Sequence, residues 1–175
     1  MIGGSEGSLD HVTTVEIRRG TQDDIPALEP LWAAMHAHHA TLAPEVPDLR
    51  DLSESWARRQ GQYHEWFDAG HADLLLAEHG PRLMGYAMIR YEPGPPTWDI
   101  GDLTAELESL SVLPEARDAG IGRMLLAAVR EQARSRGAHA LLVAVVHANA
   151  GAQRFYAREG LKPFYDLLWD PLADP

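Results

Sequence analysis

Leu110-Ser111-Val112-Leu113-Pro114-Glu115-Ala116-Arg117-Asp118-Ala119-Gly120-Ile121-Gly122-Arg123 is the stretch that decides the fold. A strand runs into Pro114, and the glycine-bearing turn Arg117 to Gly122 opens directly onto a helix. Gly120 and Gly122 lack a Cβ, so their backbone can take unusual dihedrals and approach a ligand closely. The first turn of the helix leaves its N–H groups without intrahelical partners. Those donors, together with the positive end of the helix dipole, suit a pyrophosphate. Arg117 adds a permanent cation. Without that chemistry the same pattern is simply a tight strand-to-helix turn. It is neither a loop ending in Gly-Lys-Ser/Thr nor a six-residue G-x-G-x-x-G, so nucleoside-triphosphatase and dinucleotide folds are set aside.

Outward from this point the chain alternates strand and helix. Downstream, Gly120 to Arg136 is an amphipathic helix that Gly137 ends as a left-handed cap. Leu141 to Val146 is almost wholly apolar and reads as a central, doubly covered strand. Asn149 to Glu159 reads as a helix stopped by Gly160, and Leu161 to Trp169 as a closing strand.

Upstream, Leu103 to Leu113 is a strand, preceded by the Pro- and Gly-rich loop Glu92 to Asp102. Leu74 to Glu78 and Leu83 to Tyr91 are strands joined by a turn at His79 to Arg82. Val12 to Arg18 alternates as a first strand. Thr21, with Asp23 and Asp24 behind it, starts a helix in which Pro30 is expected to introduce a kink. A second helix, capped by Ser53 or Ser55, runs to about Asp68 with Trp56, Tyr63, Trp66 and Phe67 on its apolar side. The order is β-α-α-β-β-β-α-β-α-β: an α/β protein with a mixed central sheet and helices on both faces.

The bulk properties exclude several classes. The chain has 175 residues, no cysteine and a formal net charge of −11. Disulfide frameworks, thiolate zinc sites and cysteine nucleophiles are ruled out. The acidic balance opposes nucleic-acid binding and is compatible with cationic substrates. No apolar run approaches the ~20 residues that span a bilayer, so no membrane partner is expected. Residues 1–11 are rich in Gly and Ser and carry no secretory pattern; they read as a disordered tail before a single domain, residues 12–175, in the cytoplasm.

Val112-Leu113-Pro114 followed by Arg117-x-x-Gly120-Ile121-Gly122 resembles the pyrophosphate motif of the GNAT N-acetyltransferase superfamily. The second half agrees, with Asn149 after an apolar strand, then Phe155-Tyr156 and Glu159-Gly160-Leu161. The likeness in element order covers about residues 12 to 170. It implies an acetyl-CoA-dependent enzyme. Backbone groups of Leu110 and Val112 would pair with the pantetheine arm as an added strand would, and the strand at Leu141 to Val146 would splay away to admit it. Arg117, Asp118, Ala119, Gly120, Ile121, Gly122 and Arg123 would cradle the pyrophosphate, and Asn149 would hydrogen-bond the arm. Tyr156 would protonate the departing thiolate, and an N–H near Val112 would stabilise the oxyanion.

The acceptor half is less defined. An alkylamine with a pKa near ~10.4 must lose a proton before it attacks. Glu106 and Glu108 lie two apart on a strand and share a face, and the resemblance places a catalytic carboxylate on this strand. His147 is a third candidate. His36, His38 and His39 offer no completed ligand set, so no metal is expected. The expected reaction is direct acetyl transfer to a small-molecule primary amine. Alternatives are a protein or peptide acceptor, or an acyl-CoA sensor without turnover. The apolar Leu167, Leu168 and Trp169 offer an edge for a homodimer.

Overall fold

The structure is a computed structural model that describes residues 14–42, 47–170 and 172. The expected tail at 1–11 and the start of the expected first strand lie outside these residues. Contacts within the chain fall into two compact units, Met1–Ala144 and Val145–Pro175.

The first unit is built on a five-stranded sheet in the order β1-β2-β3-β4-β5. The strands are β1 (Val15–Gly20), β2 (Ala72–His79), β3 (Arg82–Pro93), β4 (Leu103–Val112) and β5 (Ala140–Leu142). β1 to β4 pair antiparallel, and β4 and β5 pair parallel. Its helices are α1 (Glu29–Ala40), α2 (Leu52–Asp68) and α3 (Ile121–Ser135).

Strand alternation divides the core between the two sheet faces. On one face Leu74, Leu76, Tyr86 and Met88 form a buried cluster with Leu31 from α1 and with Trp56 and Tyr63 from α2. On the other, Gln132 of α3 and Arg136 at its C-cap reach Asp73 of β2, and Gly85 leaves room for Leu125. Leu125, Leu126 and Val129 are fully buried there. Each such side chain contributes about 1.5–3 kcal/mol of transfer free energy on burial.

The first helix does start at Thr21, whose N–H donates to Asp24 Oδ2 at 2.8 Å. Its opening turns, Gln22–Leu28, are a 3-10 segment, and α1 begins only at Glu29. Pro30 thus falls in the first α-helical turn, where a missing N–H costs nothing, and the change of helix type lies just before it rather than at it. The cap of α2 is Asp51, not Ser53 or Ser55: its carboxylate accepts from Ser53 N at 2.9 Å. A carboxylate at the positive helix end also gains from the dipole.

Two expected strands need correction. The apolar run Leu141 to Val146 stays in the sheet only to Leu142, and residues 143–146 carry no strand. Leu161 to Trp169 is not a strand either; the segment is exposed and irregular, with Leu167 95 % and Leu168 89 % accessible. Among the described residues the sheet therefore has five strands rather than six. The second unit contains α4 (Ala150–Arg158), which Asn149 caps through a 3.0 Å bond from Ala152 N. Gly160, at φ +84°, closes α4 with Leu161 N bonded to Tyr156 O. The same closure ends α3 at Gly137.

Candidate functional site

β4 organises the candidate site residues of the first unit. It pairs with β5 only from Thr104 to Glu106. From Leu107 to Val112 no strand is paired to its outer edge among the described residues. Leu113 N bonds Met84 O across the sheet. Amides alternate in direction along a strand, so those of Val112 and Leu110 point to the unpaired edge. These are the two positions the resemblance assigns to the pantetheine arm.

At the end of this edge comes the turn into α3. Asp118 and Gly120 both take left-handed dihedrals, at φ +62° and +80°. Gly120 caps the helix, and the first intrahelical bond is Met124 N to Gly120 O at 3.0 Å. The amides of Ile121, Gly122 and Arg123 are the first-turn donors. Ile121 is buried, whereas Arg117, Asp118, Ala119, Gly120 and Arg123 are exposed. The turn thus offers a concave set of N–H groups at a positive helix end.

Glu106 and Glu108 do share a face, and the structure joins them through a residue the sequence did not single out. β3 and β4 shift register where Met88 faces Ser109 and Ile89 faces Leu107. Glu108 is the extra residue of this bulge, which re-aims side chains. Arg90 of β3 lies among three carboxylates. Its Nη2 is 2.7 Å from Glu106, its Nε is 2.6 Å from Glu108, and it also contacts Glu92. The Nε contact is close but not aligned as a hydrogen bond. Burial works against the Arg90 charge, yet these carboxylates outweigh it and hold its pKa above the ordinary value. Arg59 of α2 reaches Glu108 from the other side at 3.3 Å. Beneath them Tyr63 donates to Ser109 Oγ at 2.7 Å and lies 3.2 Å from the Tyr86 hydroxyl.

In the second unit Asn149 caps one short helix, α4, and Tyr156 lies within it. The cap engages the Asn149 carbonyl, so a contact to a ligand would use its amide nitrogen. Tyr156 packs edge-on to Phe155, and burial pushes its hydroxyl up to about 12. His147 lies in an exposed turn whose carbonyl accepts from Gln153, not at the end of a strand. On α1, His36 Nε2 contacts Arg50 O at 2.9 Å.

Arg59 and Arg90 carried little local signal: Glu108 stands 49 residues from Arg59, and of the partners of Arg90 only Glu92 is near in sequence, Glu106 and Glu108 being 16 and 18 residues away. A cation at alternate spacing on β3 facing acids on β4 was the available hint.

A sequence model described as the acetyltransferase (GNAT) family matches residues 35–161. A mycothiol acetyltransferase of Rhodococcus opacus is 30% identical over 135 residues, 70% of this chain and 43% of that one. The chain thus spans less than half the length of that curated relative. Among solved structures, an aminoglycoside N-acetyltransferase in complex with CoA superposes with a TM-score of 0.70 at 16% identity, over 94% of this chain and 98% of its own. A predicted acetyltransferase of Clostridium acetobutylicum with acetyl-CoA gives 0.70 at 16% identity, over 91% and 97%. With the half-open β4 edge, the capped turn at Gly120 and a family match over most of its length, this chain belongs to the acetyltransferase (GNAT) family.

Proposed function

We propose that the protein transfers the acetyl group of acetyl-CoA directly to a primary amine of a small molecule. The observation that carries this reading is the unpaired edge of β4 beyond Glu106, leading into the first-turn amides of α3. The edge amides of Leu110 and Val112 suit the amide-bearing arm of CoA. The Arg117 to Arg123 turn suits its pyrophosphate, on a protein whose overall charge would otherwise repel a polyanion.

The amine lone pair forms the new C–N bond as the C–S bond breaks, and the amine proton passes to a carboxylate. Glu106 and Glu108 stand on one face of β4 for that role, with Arg90 fixing both. On the resemblance, a backbone N–H near Val112 serves the oxyanion. On the resemblance, Tyr156 serves the leaving sulfur. A hydroxyl at about 12 is fully protonated at neutral pH, so the donor is always present. A thiolate of ordinary basicity, near ~8.5, draws a hydrogen bond from it more readily than its whole proton. A small acceptor is supported by relatives named for mycothiol and for aminoglycosides, and the chain's acidity favours a cationic one.

The test is incubation with isotope-labelled acetyl-CoA and a panel of amine metabolites, aminoglycosides and peptides, read by mass spectrometry. Labelled small-molecule product is expected, and Tyr156→Phe is expected to lower kcat by about 10²-fold while CoA affinity holds. Label on peptides alone would overturn the small-molecule acceptor. Unchanged turnover in the variant would remove Tyr156 from the mechanism.

A further inference from the structure

The guanidinium of Arg59 stands in a box. Its carbon lies 5.1 Å from the Trp32 ring centroid, 5.7 Å from that of Tyr63 and 5.9 Å from that of Trp66. Glu108 closes the fourth side. Several aromatic faces with one carboxylate are the surroundings in which organic cations are recognised, each face contributing about 0.5–2 kcal/mol as water is excluded.

Two further observations show that the polar side of this cation is only partly engaged. A guanidinium has five N–H donors, and the polar contact found for Arg59 is one of 3.3 Å to Glu108. Arg90, the neighbouring cation, is held by three carboxylates instead. Arg59 also lines an open cleft of about 570 Å³ along α2, together with Trp32, Arg50, Arg58 and Glu65. The box therefore has a mouth, and Arg59 stands in it.

We propose that Trp32, Tyr63, Trp66 and Glu108 form a cage for an organic cation on the acceptor side of the site, and that Arg59 occupies it as a resident stand-in which the ligand displaces. The inference rests on the acyl-transfer reading for its purpose. It names a class of acceptor: a small molecule with a second cationic group, alkylammonium or guanidinium, besides the amine that reacts. Glu106 stands two residues along β4 from Glu108, about 7 Å of strand, so one short dication reaches both carboxylates.

The experiment needs neither acetyl donor nor turnover, so its outcome is independent of whether acyl transfer occurs. Methylguanidinium chloride is titrated into wild-type protein and Arg59→Ala, with sodium chloride holding ionic strength constant, and tryptophan fluorescence is read. Saturable quenching with a Kd at least tenfold lower in Arg59→Ala is expected, and adding Trp32→Ala is expected to abolish the gain. Equal binding in the two proteins, or no saturable binding in either, overturns the cage. Circular dichroism checks folding. Should the alanine variant not fold, Arg59→Gln, which keeps a stem and loses the charge, carries the same expectation.

Discussion

At Gly120 the backbone turns with φ +80°, and a Cβ built there meets nothing within 4 Å. Space is not what excludes a side chain; the dihedral is. A left-handed L-residue costs about 1–2 kcal/mol, so Gly120→Ala should lower Tm by roughly 2–8 °C. It should also weaken CoA binding by more than that strain alone, because relaxation of the turn re-aims the first amides of α3. Calorimetric titration with CoA, beside a thermal melt, separates the two effects. This residue was legible in the sequence because glycine next to a helix start has few other uses. So were Glu106 and Glu108, since strand parity alone puts them on one side. Arg59 was not, because its surroundings come from α1, α2 and β4, which only the folded chain brings together.

Between β1 and the first helix, Arg18 holds Asp24 at 2.8 Å and Glu78 at 2.9 Å. The Arg18 guanidinium, with the Thr21 N–H behind it, holds the Asp24 carboxyl down at about 2, against an ordinary 3.8. Asp24 thus binds its proton more weakly in the folded chain than in the unfolded one. Its stabilisation is full above pH ~4 and is lost as pH falls through about 2. Urea unfolding at a series of pH values should show this loss, and Asp24→Asn should flatten it over that window while lowering stability at neutral pH. Helix ends like this one were legible because caps are local chemistry, readable over three or four residues. Strand ends were not. Leu141 to Val146 is apolar throughout, and hydrophobicity states that a segment is sheltered without saying that a neighbouring strand pairs with it. Leu161 to Trp169 failed for the same reason, since an apolar run is a strand only where a partner accepts its backbone.

Across the whole chain, 26 acidic and 15 basic side chains give the charge of −11. A field of that sign raises the local concentration of a cationic acceptor and is screened beyond roughly 10 Å at 0.1 M salt. For a dicationic acceptor, kcat/KM should fall several-fold between 0.01 and 0.15 M ionic strength, and for a neutral amine it should hold nearly constant. Steady-state rates across a salt series check this, and equal salt dependence for both would remove electrostatic steering from the account. The same fold carries a second collective property in its unfinished sheet. From Leu107 to Val112 the outer edge of β4 has no strand paired to it among the described residues. Where a metabolite supplies that missing strand, binding energy becomes folding energy. Lifetime in the cell then tracks the supply of that metabolite, so that starvation for it thins the enzyme's own population before any regulator acts.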